Sequence, residues 1–600
     1  MTRPGQAEPS KPSASKAWLR ALEQTATIAD RPERTFPVVI DERAVALGDA
    51  PALLSDGGCL TYRELTERSN RYARWAMGQG VAKGDVVCLL MPNCPEYLAI
   101  WLGVTRAGGV VALLNTLLKG PSLAHCIALA APRLFIVAAG MVGMLTEALS
   151  LSPVPGQVWV HGTGDGSFPR VDLEVENHAG KRLSDAECAL PHVEDRALYI
   201  YTSGTTGLPK AAIVSHFRVM QWSHWFAGMM DTRPSDRMYD CLPMYHSVGG
   251  VLAPGAVLVG GGAVVIRESF SAREFWSDVA RWDCTLFQYI GELCRYLLRA
   301  APVLLDTQHR LRLCCGNGLR SDVWMDFKTR FKIPQILEFY AATEGNISLY
   351  NVEGKPGAIG RVPSYLAHRF PIALARFDFD REVPARDARG LCVRCAPDEV
   401  GEAIGRISAG PTDSGTRFEG YTSKDASDGK VLHDVFETGD AWFRTGDLMR
   451  RDEQGFYYFV DRIGDTFRWK GENVSTVEVS RVLCEFPGIS EAVVYGVAIP
   501  GAEGRAGMAA VIADGELDFP GLQAFLVARL PAYARPLFLR RLKTVAVTAT
   551  FKHSKQALVR EGYDPAATPD SIYFADTEHE ALVPLDRDLY ARIRDGGLRV

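Results

Sequence analysis

Tyr199-Ile200-Tyr201-Thr202-Ser203-Gly204-Thr205-Thr206-Gly207-Leu208-Pro209-Lys210 begins apolar and turns abruptly into small residues. The run 197–201 reads as a short buried strand. The residues after it form a loop of hydroxyls, glycines and a lysine. Glycine lets a backbone approach a ligand closely and adopt φ > 0. Consecutive loop N–H groups then make a concave anion site, to which hydroxyls and Lys210 add donors and charge. These are the requirements for holding a triphosphate. Gly204, Gly207 and Lys210 stand three apart, so the Walker A spacing is absent. The plain alternative is a Gly/Ser/Thr surface loop. The density of phosphate-type donors directly after a strand favours function.

The chain has 600 residues, too many for one core, and about two to four domains or subdomains are expected. Hydrophobic content of 47% and charged content of 23% are those of an ordinary soluble globular protein. A net charge of −5 gives no reason to expect nucleic acid as a partner. No apolar run reaches the ~18–20 residues of a membrane span. The first sixteen residues are rich in Pro, Ser and Lys, and 1–45 is expected to be a partly disordered leader. The thirteen cysteines sit mostly in apolar contexts, which points to reduced thiols in a cytoplasmic protein. Cys392 and Cys395 form a CxxC with no second pair at zinc spacing.

Thr61-Tyr-Arg-Glu64 has the form of a capping box. It opens a helix through about Gln79, with Leu65, Tyr72, Ala73, Ala76 and Met77 near one face. Strands at 85–91, 110–114 and 133–138 alternate with helices at 95–106 and 122–130, which argues for βαβ units and a mainly parallel sheet. The Pro/Gly-rich 151–182 reads as an irregular excursion. Helices are expected at 216–229, 268–281 and 290–301, and a β-rich subdomain over 351–407. From 465 the pattern shortens into a compact α/β unit: a helix at 477–484, strands at 492–498 and 509–513, a helix at 519–530, and a strand at 537–547. The expected fold class is α/β. A large N-terminal domain (46–463) has mixed, mainly parallel sheets flanked by helices and carries the β-rich subdomain. A small mobile α+β C-terminal domain (464–600) follows.

Several side chains fit nucleotide chemistry. Tyr340 offers a ring for a purine to stack on. Thr343 suits an α-phosphate, and Glu344 offers an oxygen ligand for Mg²⁺. Asp447 follows a tight glycine turn and can accept from both ribose hydroxyls. His246, within Leu242-Pro-Met-Tyr-His-Ser-Val-Gly-Gly250, would by itself pass for a satisfied core histidine.

Together these stretches resemble the adenylate-forming superfamily of acyl-CoA synthetases, luciferases and peptide-synthetase adenylation domains. The wording of 443–480, 550–565 and 570–593 is similar to its fatty-acid transport protein and very-long-chain acyl-CoA synthetase branch. The resemblance implies an ATP-dependent fatty acid–CoA ligase working through an acyl-adenylate, with release of AMP and pyrophosphate. Its substrates would be a fatty acid, ATP and coenzyme A, with Mg²⁺ as cofactor. The phosphate loop would use Thr202, Ser203, Gly204, Thr205, Thr206, Gly207 and Lys210. His246 would lie beside the acyl carboxylate, and the turn at Gly316 and Asn317 against adenine. Tyr340, Thr343 and Glu344 match the Y-x-x-T-E element, with Ala341 where many members have glycine. Asp447 and Arg462 would hold ribose, while Arg468, Lys470 and Gly471 would line the coenzyme A route. The lysine that bridges acyl carboxylate and α-phosphate matches Lys552; Phe551 replaces the usual glycine, and Lys555 is the alternative. Gly464 stands where the hinge is commonly Asp or Lys, so a polar lock there would have to come from Asp465.

The acid itself stays open. An acyl-AMP ligase, or a ligase for bile-acid-like, aryl or medium-chain acids, uses the same machinery. A non-catalytic lipid-binding protein is the reading from outside enzymes. Peripheral membrane contact and oligomeric state are equally open.

Overall fold

The computed structural model describes residues 13–164, 166–184, 186–202, 208–379, 381–408, 416–469, 472–500, 502, 504–543, 555–576 and 581–595. Two compact units divide the chain: Met1–Pro371 with Arg406–Val431, and Ile372–Gly405 with Leu432–Val600.

The first unit holds two large sheets. One has six strands in the order Gln157–His161, Leu134–Ala138, Val86–Leu90, Val110–Leu113, Arg196–Thr202, Lys210–Ser215. All neighbours are parallel except the last pair. The other has eight strands: Ser348–Asn351, Gln335–Ala341, Leu313–Asn317, Leu286–Ile290, Arg237–Asp240, Ala263–Ile266, Pro51–Leu54, Leu60–Thr61. Its interior pairs are parallel and its two outermost pairs antiparallel. Val86–Leu90 and Val110–Leu113 are buried along their whole length, as continuous apolar runs covered on both faces must be. The capping box forms: Thr61 N donates to Glu64 Oε2 at 2.8 Å and Glu64 N to Thr61 Oγ1 at 3.2 Å, starting helix Tyr62–Gly78.

Three sequence expectations change here. The stretch read as a partly disordered leader carries, from residue 14, helices Ala14–Thr25 and Phe36–Leu47. Trp18 is fully buried, edge-on to Trp225, Tyr350 and Phe370; the polar composition of the first sixteen residues hid this anchor. The excursion at 151–182 contains the outer strand Gln157–His161. Only Val158, Trp159 and Val160 are buried there, too few for a visible period. The helix expected at 268–281 starts only at Phe275, because Ser271 Oγ accepts from Glu274 N and favours a turn.

The second unit holds two large sheets built around separate cores, and a two-stranded sheet of Phe467–Trp469 with Glu472–Val474. A β-rich sheet runs Val383–Pro384, Ile372–Asp378, Gly401–Arg406, Ala441–Arg451, Val431–His433, with Tyr457–Arg462 also on Ala441–Arg451. Its core includes Ala375, Ile404, Val435 and Trp442. A five-stranded sheet runs Ile489–Val497, Ala506–Ala513, Phe538–Leu542, Ser571–Asp576, Ala581–Pro584. Its core extends from Phe467 to Ile593. Position 463/464 lies inside this unit, in sequence between the residues of its two cores.

One backbone approach positions the His246 segment. A Cβ on Gly250 would lie 1.8 Å from Met244 O, so only glycine fits in the turn Val248–Leu252. Gly250→Ala is expected to cost about 1–3 kcal/mol or more, measured by urea denaturation. Gly140→Ala, which meets open space, should leave stability unchanged or raise it by up to about 1 kcal/mol.

Candidate active site

In the first unit Thr202 and Lys210 pair directly across an antiparallel hairpin. The strand therefore returns as a strand, unlike the strand-to-helix route of a Walker A loop. Ser203, Gly204, Thr205, Thr206 and Gly207 lie outside the described residues. Tyr421 joins the two ends of the hairpin. Its ring sits 5.5 Å from Lys210 Nζ, and Thr202 is a polar neighbour of its hydroxyl. The same hydroxyl donates to Glu344 Oε1 at 2.7 Å. Burial, then the Glu344 carboxylate, push the Tyr421 phenol well above its ordinary range.

Tyr421 reaches this place through backbone pairing. Ile213 N donates to Gly420 O and Thr422 N to Ala211 O, both at 3.0 Å. Beneath it, Glu419 accepts from Ser215 N at 2.8 Å and Ser215 Oγ at 2.5 Å, and lies 3.7 Å from Arg218 Nε. Arg218 Nη1 donates to Thr343 O at 2.7 Å. Thr343 Oγ1 is 3.0 Å from Ser247 Oγ, so the His246 segment and the Thr343-Glu344 segment meet. His246 itself is half-buried with its ring against Tyr245.

Asn317 and Tyr340 lie near the C-terminal ends of adjacent parallel strands, Leu313–Asn317 and Gln335–Ala341. That is the end at which open α/β sheets receive ligands. Gly316, one residue before Asn317, is buried.

In the second unit Asp447 and Arg462 pair across two strands, with Arg462 Nε 3.2 Å from Asp447 Oδ1. Asp447 is almost fully buried, and its N–H donates to Thr445 Oγ1 at 3.0 Å. Arg468 is on strand Phe467–Trp469, where its carbonyl accepts from Arg505 N at 2.7 Å. Lys470, Gly471 and Lys552 lie outside the described residues. Lys555 is engaged: its Nζ is 2.9 Å from Thr476 Oγ1 and 3.2 Å from Asp465 Oδ2.

Tyr421, Arg218, Glu419 and Ser247 escaped the sequence reading. Ser247, beside His246, carried a signal; the importance of the others appears only through long-range pairing.

A family model described as AMP-binding enzyme matches residues 40–368, more than half of the chain. The chain belongs to the AMP-binding enzyme family. It is 43% identical over 563 residues to long-chain fatty acid transport protein 1 of Mus musculus, covering 92% of this chain and 85% of that protein. To long-chain fatty acid transport protein 6 of Mus musculus it is 40% identical over 550 residues, covering 90% and 87%. Its fold is similar to that of an anthranilate CoA ligase in complex with anthranoyl-AMP, at 22% identity and a TM-score of 0.73, covering 86% and 95%. ATP-bound MatB from Rhodopseudomonas palustris matches at 22% identity and a TM-score of 0.72, covering 88% and 99%.

For an AMP-binding enzyme the Tyr421 contacts have a direct consequence. Tyr421→Phe keeps the ring under Lys210 and removes the donor to Glu344. A hydrogen bond to a charged group contributes about 1.5–3 kcal/mol, so ATP affinity by calorimetry should fall by roughly ten- to a hundredfold. Wild-type affinity in Tyr421→Phe with a loss in Tyr421→Ala would assign the contribution to the ring alone.

Proposed function

We propose that this protein is a long-chain or very-long-chain fatty acid–CoA ligase, AMP-forming, working through an acyl-adenylate. The observation that carries the reading is the 43% identity to long-chain fatty acid transport protein 1 over 92% of the chain, too long a match to be confined to one unit. The convergence of Thr202, Lys210 and Glu344 on Tyr421 supports it.

In the first step a carboxylate oxygen of the fatty acid attacks the α-phosphorus of ATP. The bond to the bridging oxygen breaks, pyrophosphate leaves and acyl-AMP forms. The loop from Thr202 to Lys210 cradles the outer phosphates, and Thr343 donates to the α-phosphate. Lys552 spans carboxylate and α-phosphate and offsets developing charge. Tyr340 and the Gly316-Asn317 turn take the adenine, and Asp447 with Arg462 the ribose. His246 lies beside the acyl carboxylate. Among the described residues no group of three or more His, Cys, Asp or Glu could hold a metal by itself. The half-buried Glu344 therefore suits Mg²⁺, a cation usually held by one or two carboxylates with waters and phosphate oxygens. When bound, that ion would neutralise phosphate charge.

In the second step 464–600 turns about Gly464 relative to 46–463 and withdraws Lys552. The separate cores on either side of 463/464 support that division. Arg468, Lys470 and Gly471 then line the approach of coenzyme A, whose sulfur attacks the acyl carbonyl, loses its proton and displaces AMP. All thirteen cysteines are unpaired, which supports a cytoplasmic setting. No helix among the described residues is long and apolar enough to cross a membrane. Peripheral contact with a bilayer fits an acid that partitions there.

ATP–pyrophosphate exchange with acids from acetate to very long chains tests the reading. Exchange should appear with long chains, and its absence with every acid would sink the enzyme claim. Lys552→Ala should abolish exchange, about 10²-fold or more, yet convert supplied acyl-AMP to thioester. If Lys555→Ala behaves that way instead, the bridging lysine is Lys555.

A further inference from the structure

Glu338 is a carboxylate that the mechanism above leaves unused. It lies in strand Gln335–Ala341, is 1% exposed, and pairs in register with Gly316. Its Oε1 accepts from Leu319 N at 3.0 Å, and the Gly318 N–H is a polar neighbour of the carboxyl. Its Oε2 accepts from the hydroxyl of Tyr289, which is fully buried. The surroundings have no slack. A Cβ on Gly316 would lie 2.3 Å from Tyr289 O and 2.4 Å from its ring. A Cβ on Gly291 would lie 1.9 Å from Gly318 O. The turn after Leu313–Asn317 is thus held between the backbone of Gly291 on one side and a carboxyl standing on Tyr289 on the other.

We infer that Glu338 is a positioning residue, holding the Gly316–Leu319 turn at the place where the nucleotide base meets it. The inference rests on the reading of that turn in the proposed function. Removing the carboxyl orphans the buried Leu319 amide and the buried Tyr289 hydroxyl, each of which costs free energy when left unpaired. The turn then relaxes toward other acceptors and the base loses its platform.

Glu338 is also titratable. Burial pushes its carboxyl up to about 8 from an ordinary 4.5. The titratable groups facing it are Tyr289, Cys294 and Cys315, and burial pushes all three well above their ordinary values, so none is charged at neutral pH. The sign follows. Below pH 4.5 the group is neutral in folded and unfolded chains alike. As pH rises the unfolded chain ionises first, and the stability contribution declines until it is gone above about 8. In the folded protein the charge appears beneath the turn above about pH 8. Glutamine in its place stays neutral and still accepts from Leu319 N–H, while its NH₂ reverses the bond to Tyr289 by donating to the phenol oxygen.

ATP binding by calorimetry between pH 6.5 and 9.5, with urea denaturation to check folding, tests this on wild type, Glu338→Gln and Glu338→Leu. Wild-type affinity should weaken above about pH 8, and Glu338→Gln should match wild type at pH 7 and stay flat to pH 9.5. Glu338→Leu should bind ATP roughly tenfold more weakly at pH 7 with acyl-acid affinity within about twofold of wild type. The same alkaline weakening in Glu338→Gln as in wild type overturns the inference, and this test holds even if Glu338→Leu does not fold. So does wild-type affinity in a folded Glu338→Leu. Normal ATP binding by wild type with either result leaves the functional reading standing, whereas a wild type that binds no ATP overturns both.

Discussion

The buried pair between Arg218 and Glu419 is the contact on which the first unit's site depends. Their side chains are 6% and 4% exposed. Glu419 takes both the N–H and the hydroxyl of Ser215, and that hydroxyl accepts from Arg218 N to start helix His216–Met230. Arg218 reaches the Thr343 and Arg417 carbonyls. One ion pair therefore joins strand Lys210–Ser215, the Thr343-Glu344 segment and the segment that delivers Tyr421. Such a pair adds little net stability over an apolar substitute, because desolvation nearly cancels its attraction. What it supplies is uniqueness. An unpaired arginine or glutamate there would cost about 3–5 kcal/mol, so alternative placements of these three segments are excluded.

This explains the uneven legibility of the site. Thr202, Lys210, Thr343 and Glu344 stand in short stretches whose residue types announce phosphate chemistry. Tyr421 stands in Glu-Gly-Tyr-Thr, which reads as an ordinary turn. Its meaning comes from pairing that spans the chain; the Ser215–Glu419 contact beneath it bridges 204 positions. Glu338 is hidden differently. A lone acid between Leu337 and Phe339 looks like the solvent side of a half-exposed strand. Only the parallel neighbour and Tyr289 reveal that both faces are covered.

The fold was more legible than the site because its signals are local. The capping box at Thr61, the continuous apolar runs at Val86 and Val110, and proline at the start of helix Pro95–Arg106 all carry their reasons within a few residues. The misses have the opposite character. Trp18 is held by aromatic partners far away in sequence, and strand Gln157–His161 by a parallel neighbour and by Trp75, edge-on to Trp159. Both depend on partners that no short window contains.

The hinge combines the two kinds of information. Gly464 has φ of +88° and open space where a side chain would stand. Asp461, just before it, is buried and accepts from Thr476 N at 2.7 Å and Thr476 Oγ1 at 3.0 Å, across the turn. Asp465, just after it, pairs with Lys555, which also bonds Thr476. Lys555 therefore binds Asp465 to the body that follows the turn, and its charge also favours the ionised form of Asp461 across Gly464. The Asp461–Thr476 bonds cross it too. The Lys555–Asp465 side chains are 24% and 37% exposed, and a pair at that exposure contributes about 0–1 kcal/mol. The Asp461 bonds are buried and charge-assisted, each contributing about 1.5–3 kcal/mol. In the proposed cycle a rotation about Gly464 must therefore break the Asp461–Thr476 contact and separate Asp461 from Lys555, while Lys555 travels with Asp465 and Thr476. A hinge at Gly464, as proposed, would not turn freely: the carboxylate three positions before it restrains the turn.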